Sequence, residues 1–471
     1  MLMLYDSYTG QKTEFHPLED GVVRIYTCGP TVYDFAHIGN FRTFVFQDLL
    51  IRYLRFRGYQ VLHVMNITDV DDKTIRNARE RGMTLKDYTV QYTDAFMEDS
   101  RKLNIELPAL LPRATDHIPE MVRLIRQLED KGCTYRKDGS VYFSIGTFPP
   151  YGSLSKKDLS GVQAAGRVDS DEYEKKDDAR DFVLWKARKE GEDYWDTELG
   201  PGRPGWHIEC SAMSMKYLGS TLDMHCGGVD LIFPHHENEI AQSEAATGQK
   251  FVRYWVHSEF LLVEGEKMAK SKGNFHTLRD LLAAGHRPEA IRYLLLSVNY
   301  RRQLNFTTDG LHQAESSMRR LEDFVRIMSE RPAQGGPGAG FAGVIEAARQ
   351  KFVEAMDDDL NTSAALAVIF EFVRTVYQLD DRKQLPDADA HAAAGFIHEV
   401  DLVLGVLRKQ QELLDDEIAK RIEQRQAARK ARNFSEADRI RKELLALGIL
   451  LEDTKDGVRW KRRQETGDRR Q

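Results

Sequence analysis

Cysteine is scarce. Four residues, Cys28, Cys133, Cys210 and Cys226, among 471 are too few to staple a chain of this length, so no disulfide framework is expected. The thiols read instead as buried, reactive or metal-bound groups. No run approaches the roughly 18 apolar residues that a membrane helix requires. The opening segment, Met1 to Thr13, interleaves Asp6, Gln11 and Lys12 with its apolar positions and carries no signal-peptide core. Internal repeats and sizeable low-complexity segments are also missing. These absences point to a cytoplasmic protein without a membrane span. What is present, 41% hydrophobic and 30% charged residues, is the composition of a globular chain, and the length predicts roughly three domains.

An excess of positive charge is lacking too. The net charge of −7 argues against a generally basic nucleic-acid coat. The sign is uneven, however. From Glu417 to Gln471 there are 16 Lys+Arg against 10 Asp+Glu, so the tail carries +6 and the rest of the chain −13. A basic terminal module on an acidic body predicts an anionic partner, although a solvated helix face has the same composition.

The first ~70 residues read as strand, helix, strand. Val22 to Thr27 is β-rich and ends at Cys28-Gly29-Pro30. From Phe41 to Phe56 apolar residues recur at helical spacing up to Gly58, and Gln60 to Met65 reads as the next strand. A crossover of that length implies parallel strands, hence an α/β sheet covered by helices. From about residue 100 to 195 prolines and the charged stretch Asp169–Arg180 interrupt the pattern, as expected of an insertion. Helical periodicity dominates from Leu278. Arg331 to Gly343 reads as a Pro/Gly linker, Asp359 to Thr362 as a helix start, and Ile418 to Leu447 as a helix pair before a short run ending at Trp460.

Four constellations carry chemistry. Ala36-His37-Ile38-Gly39-Asn40 lies between the first strand and the first long helix. Helix N-termini attract phosphate, Gly39 admits close backbone approach, and His37 is a donor for a phosphoryl oxygen. Lys267-Met268-Ala269-Lys270-Ser271-Lys272-Gly273-Asn274 is a cationic loop suited to a leaving pyrophosphate. Either stretch alone is also ordinary surface. About 230 residues apart, the two resemble the HIGH and KMSKS motifs of class I aminoacyl-tRNA synthetases.

The third constellation is a donor set. Gly205 to Cys210 precedes Phe233-Pro234-His235-His236-Glu237-Asn238-Glu239. Pro234 opens a helix on which His235 and Glu239 share a face. With Cys210 and Cys28 they make a tetrahedral Zn²⁺ set; two buried cysteines beside a polar helix are the plainer alternative. His236 and Glu237 are expected to point elsewhere. In the fourth, His225-Cys226-Gly227-Gly228-Val229-Asp230, the glycine pair lets backbone approach a ligand, and Asp230 suits a ribose hydroxyl or an amine; a packing turn competes.

Taken together, the stretches Cys28–Phe44, Asn66–Lys73, Gly202–Ser214, Phe233–Ala245 and Glu266–Phe275 resemble the cysteinyl-tRNA synthetase family. The resemblance implies zinc, one per chain, held by Cys28, Cys210, His235 and Glu239, with the substrate thiolate on the metal. It implies Lys270 on ATP, and a Rossmann-type parallel-sheet catalytic domain with a connective insertion, followed by an α-helical bundle and a small anticodon-binding domain. The expected division is 1–105 and 201–255 catalytic, 106–200 insertion, 256–310 the KMSKS-loop region, 311–405 the bundle and 406–471 the basic C-terminal domain. Partners implied are L-cysteine, ATP with Mg²⁺, and tRNA(Cys), with a monomer as the family's default. The chain departs from the motifs at Asn40, Ala269 and Cys226. Asn40 keeps hydrogen-bonding capacity and Ala269 leaves both lysines.

On this reading His37, Asn40, Lys267 and Lys270 are catalytic through phosphate contacts, and Gly39 and Asp230 also line the ATP site. Thr31, Thr68, Trp206 and His225, with Asp230, are pocket walls around the amino acid. In the tail Arg425, Arg429, Arg432 and Lys442 are expected to meet phosphates. Trp460 is a base-stacking candidate, although a small-domain core position suits it better. A cysteine-activating ligase with a small amine acceptor would share the zinc and nucleotide motifs but leave the basic tail idle. A non-catalytic zinc-containing RNA-binding protein would have lost His37, Lys267 and Lys270, which are present.

Overall fold

The two β-rich runs near the N-terminus do pair in parallel across a helix. In the computed structural model β1 (Val22–Thr27), α1 (Ile38–Phe56) and β2 (Gln60–Met65) form one crossover, with Thr27 opposite Met65. Much later in the chain β3 (Leu222–Gly228) and β4 (Val252–Ser258) join the same sheet, in the order β4-β3-β1-β2, all parallel. The chain leaves β1 toward β2 on one side and returns to β3 on the other. Strand order therefore reverses between β1 and β3, and the crevice beyond their carboxyl ends is where such sheets bind ligands. Cys28 and the Gly227-Gly228 pair lie at that edge. The structure describes residues 1–156, 176, 178, 180–269, 273–332, 338–407, 415–431, 433–446, 449–454 and 457–462.

Helix α1 starts three residues earlier than its apolar spacing predicts. His37 and Asn40 form a reciprocal cap: His37 Nδ1 accepts from the Asn40 N–H, and Asn40 Oδ1 accepts from the His37 N–H, both at 3.1 Å. That satisfies two otherwise unpaired donors of the first turn. The helix is apolar nearly all round, with Phe41, Val45, Leu49, Leu50 and Leu54 buried, as a helix enclosed on several sides must be. Asp48 is paired both within the helix and across the fold. Asp48 accepts from Arg52 Nε at 2.8 Å, from Arg292 Nη2 at 2.5 Å and from the Glu106 N–H at 2.8 Å.

Between β2 and β3 lie, among other elements, a helix, Ile118–Asp130, and a four-stranded antiparallel sheet (Thr134–Lys137, Ser140–Phe143, Phe182–Ala187, Gly202–Pro204). Most of the charged stretch 169–180 lies outside the described residues. Helices α2 (Trp206–Leu218) and α3 (Glu237–Thr247) then carry candidate donor residues, and α4 (Leu278–Ala283) and α5 (Pro288–Leu296) follow the lysine-rich segment 267–274.

The next helices are α6 (Thr308–Ser329), α7 (Ala339–Asp357), α8 (Thr362–Asp381) and α9 (Asp387–Leu404). Asn361 caps α8 at the predicted start. The Pro/Gly segment corrects the reading of a linker through Gly343: residues 333–337 lie outside the described set, but α7 already begins at Ala339. Burial of Phe341 and Ile345 in the bundle core overrides the low helix propensity of Gly340 and Gly343 beside them.

Residues 408–471 are a separate compact unit from 1–407. Its described part is α10 (Asp415–Lys430), α11 (Phe434–Ala446) and a hairpin of β5 (Ile449–Thr454) and β6 (Gly457–Arg462). Ile418, Ile422, Ile440, Leu444 and Ile449 form its small core, and Trp460 packs half-buried against them, the core placement rather than an open stacking face. Arg425 is 3% exposed and so is not a surface phosphate contact. Arg429 and Lys442 are exposed; Arg432 lies outside the described residues.

Candidate functional site

The helix cap fixes the chemistry of His37. Because its Nδ1 accepts a hydrogen bond, the neutral ring carries its proton on Nε2 and is a donor there. The flank of the lysine loop is joined to this helix start. The Ile38 N–H donates to the His276 carbonyl at 2.9 Å, His37 and Thr277 form a β-bridge, and Phe275 lies edge-on to the His37 ring at 5.2 Å. A Cβ on Gly39 would come within 3.2 Å of Met268 and 3.0 Å of His37 Nδ1, so the glycine permits this close approach. Asn274 ties the loop's two ends, its Oδ1 accepting from the Ala269 N–H at 2.8 Å and its amide donating to the Lys267 carbonyl at 3.3 Å. Lys267 is exposed on the short strand Glu266–Lys267. Lys270 lies outside the described residues.

Cys28, Cys210, His235 and Glu239 converge from the end of β1, from α2, from the irregular turn Ile232–His236 and from α3. Their ligand atoms all lie within 4.8 Å of one another, and all four are buried. His235 Nε2 stands 3.0 Å from Glu239 Oε1, and Cys28 Sγ 4.0 Å from the same oxygen. Two thiols, an imidazole and a carboxylate on a buried tetrahedral scale fit Zn²⁺ and fit poorly to a hard cation such as Mg²⁺.

The electrostatics agree. Burial alone would raise the Cys210 thiol, but the hydrogen bond from Cys28 and the charge of His235 bring it down to about 6. Burial and the same bond push Cys28 well up. Burial would lower His235; Glu239 and Cys210 outweigh it and raise the ring to about 10. Glu239, despite burial, is held down to about 2 by His225 and His235.

A second donor set overlaps the first: Cys28, His225, His236 and Glu239 are also mutually within 4.8 Å. This corrects the expectation that His236 points elsewhere. Its Nε2 is 3.3 Å from Cys28 Sγ and its Nδ1 2.8 Å from His257 Nε2, and as the residue three before Glu239 it shares that side chain's helix face, with its Nε2 3.9 Å from Glu239 Oε1. Glu237 does turn away, accepting from the N–H groups of Gly152 and Ser155 at 2.8 Å each. His225, expected as a pocket wall, is fully buried, and its Nε2 meets Glu239 Oε2 at 2.9 Å.

Trp206 stacks on the His235 ring at 4.1 Å. Thr31 and Thr68 form a bridge beside Cys28, and the Thr68 hydroxyl accepts from the Asn66 amide at 3.0 Å. Asp230 is exposed, just beyond the glycine pair; a Cβ on Gly228 would lie 2.5 Å from its carboxylate. Of the supporting residues, Asn66 and His207 lie in the stretches Asn66–Lys73 and Gly202–Ser214 without a role assigned to them, whereas His257 carries no local motif and only the fold brings it to the site.

A parallel sheet with a switch-point crevice, a capped His-Ile-Gly helix start and a lysine loop stitched to it define a class I tRNA synthetase. The family model for the tRNA synthetases class I (C) catalytic domain matches residues 14–316, a DALR domain matches 351–408, and a cysteinyl-tRNA ligase anticodon binding domain matches 412–460. Among solved structures the fold is similar to a Mycobacterium tuberculosis methionyl-tRNA synthetase in complex with methionyl-adenylate. That likeness has a TM-score of 0.59 and 16% identity, over 82% of this chain and 90% of the other. The cysteine–tRNA ligase of Solibacter usitatus is 55% identical over 98% of this chain and 100% of its own length, and that of Koribacter versatilis 50% identical over the same shares. The chain belongs to the cysteine–tRNA ligase family.

Proposed function

We propose that this protein joins L-cysteine to tRNA(Cys) at the expense of ATP, through a cysteinyl-adenylate. The observation that supports the reading is a thiol-rich donor set and a capped His-Ile-Gly helix start on the same parallel-sheet domain. In the first step a carboxylate oxygen of cysteine bonds to the α-phosphorus of ATP, and the bond to the pyrophosphate oxygen breaks. No protein nucleophile is needed, so catalysis comes from positioning and charge stabilisation. His37 Nε2–H, Asn40, Lys267 and Lys270 take the phosphate charge, with Mg²⁺ on ATP, while Gly39 and Asp230 border the nucleotide. In the second step a hydroxyl of the terminal tRNA ribose attacks the acyl carbon and AMP leaves.

Cys28, Cys210, His235 and Glu239 would hold Zn²⁺, which supplies a Lewis acid that prefers a thiolate to a neutral hydroxyl. Shape alone separates cysteine from serine by only about 1–3 kcal/mol, so a donor set of this chemistry accounts for selectivity without a separate editing site. Trp206, Thr31 and Thr68 wall the amino acid, and His225 acts on it through Glu239. The unit from residue 408 onward contacts the tRNA through exposed basic residues such as Arg429 and Lys442. Among the described residues no helix is long and apolar enough to cross a membrane; a cytoplasmic monomer is the corresponding cellular reading.

ATP–pyrophosphate exchange on zinc-loaded protein tests this. Exchange with cysteine and not with serine is expected; none with cysteine refutes activation, and comparable exchange with serine refutes the metal's selecting role. Truncation after Leu407 is expected to abolish tRNA charging while exchange persists, and equal loss of both would refute the division of labour.

A further inference from the structure

Among the described residues, one further group of metal-ligating side chains converges outside the buried donor set. His286 lies in the turn between α4 and α5, and His312 and Glu315 stand one turn apart on α6, a spacing that puts both on one face. The ligand atoms of the three all lie within 4.8 Å of one another. His286 Nδ1 is 3.1 Å from a Glu315 carboxylate oxygen, and the two imidazole rings are 5.9 Å apart. The side chains of His286 and Glu315 are 19% and 16% exposed, and His312 is exposed. Two donors are thus held by the fold while the third faces water. The hydrogen bond between His286 and Glu315 accounts for two of the residues. It leaves unexplained why a second imidazole from another turn joins them; Arg319, 4.0 Å from the other Glu315 oxygen, is a competing cation there.

We propose that His286, His312 and Glu315 bind a divalent transition-metal ion of the Zn²⁺, Ni²⁺, Co²⁺ or Cu²⁺ kind, with water completing its coordination. Two imidazoles and one carboxylate select these ions over Mg²⁺ and Ca²⁺, which take all-oxygen sites. A bound ion ties the α4–α5 turn to α6. Helix α4 begins at Leu278, directly after the His276–Thr277 segment that is hydrogen-bonded to the catalytic helix start.

The test is equilibrium dialysis of the full chain, its zinc content measured beforehand, against Ni²⁺, alongside His312→Gln and Glu315→Gln. Expected is one nickel per wild-type chain with zinc content unchanged. Each variant should bind nickel at least about tenfold more weakly, since even indirect partners of metal ligands cost that much. Because His312 is exposed, its variant folds, which thermal unfolding without nickel verifies. Three results overturn the proposal: no added nickel up to about 1 mM, nickel gained only in exchange for zinc, or equal binding by both variants and the wild type.

Discussion

Loading the buried donor set with metal is expected to release two protons at neutral pH. In the metal-free protein Cys210, lowered to about 6, is a thiolate, and Glu239, lowered to about 2, is a carboxylate. Cys28, raised well above the ordinary thiol value, stays protonated, and His235, raised to about 10, is an imidazolium. The four side chains then sum to one negative charge. Ligation requires both thiolates and a neutral imidazole, so a dication replaces the protons of Cys28 and His235 and the net charge of the cluster is unchanged. The sign follows directly: protons compete with the metal, and affinity rises with pH throughout the window between the Cys210 and His235 values. Two protons per ion give an increase of about a hundredfold per pH unit, or about 2.7 kcal/mol. Calorimetric titration with Zn²⁺ at pH 7.5, in buffers of different ionisation enthalpy, counts the protons. A count of none or one would refute this protonation pattern.

Other residues test separate links. His225→Leu removes the 2.9 Å bond to Glu239 Oε2 while leaving an apolar side chain against Trp255, so metal affinity should fall about 10–100-fold in chelator competition; His225→Gln should recover part of it, and an unchanged affinity in the Leu variant would show that the bond does not position Glu239. His37→Asn keeps a good N-cap residue but loses the Nε2 donor, so unfolding should change by less than about 0.5 kcal/mol, whereas pyrophosphate exchange falls about 100-fold or more. Undiminished exchange would remove His37 from catalysis. Asp48→Ala strands Arg292, whose side chain is 1% exposed, while Arg52 keeps Glu106 Oε1 at 3.0 Å, and a loss of about 3–5 kcal/mol is expected in denaturant unfolding; a loss under about 1 kcal/mol would mean the Arg292 bonds to backbone carbonyls suffice.

Local pattern carries much of the fold, and its failures have identifiable causes. Val22–Thr27 and Gln60–Met65 match the strands residue for residue, because β-rich runs bounded by turn residues need no distant information. The start of α1 was hidden because its cap is His37 with Asn40, not the usual Ser or Thr with Glu. His236 departs from expectation because only the i,i+4 pair His235 and Glu239 is placed on one face, whereas His236 precedes Glu239 by three and shares that face as well, its Nε2 3.9 Å from Glu239 Oε1. For Arg425 a signal did exist. Ile418, Ile422 and Arg425 fall at helical spacing on one face, and two buried isoleucines place the arginine beside them, against its charge.

The arginines that brace the catalytic sheet illustrate the harder limit. Arg42 donates to the carbonyls of Val298 and Asn299, and Arg292 to those of Leu404 and Leu103, while both side chains are buried. A guanidinium has five donors and suits several carbonyls left unpaired at helix ends. Its partners here lie more than 100 residues away in sequence, so no window on the chain contains both halves of the interaction. The candidate metal donors escape that limit for a different reason. Cys210 sits in a Trp-His-Ile-Glu-Cys run, and His235 and Glu239 in a second dense run, so residue types that are rare in cores stand out before any partner is known. Catalytic chemistry is legible when it demands unusual residues at short spacing, whereas the packing that holds those residues in place draws on ordinary residues at long range.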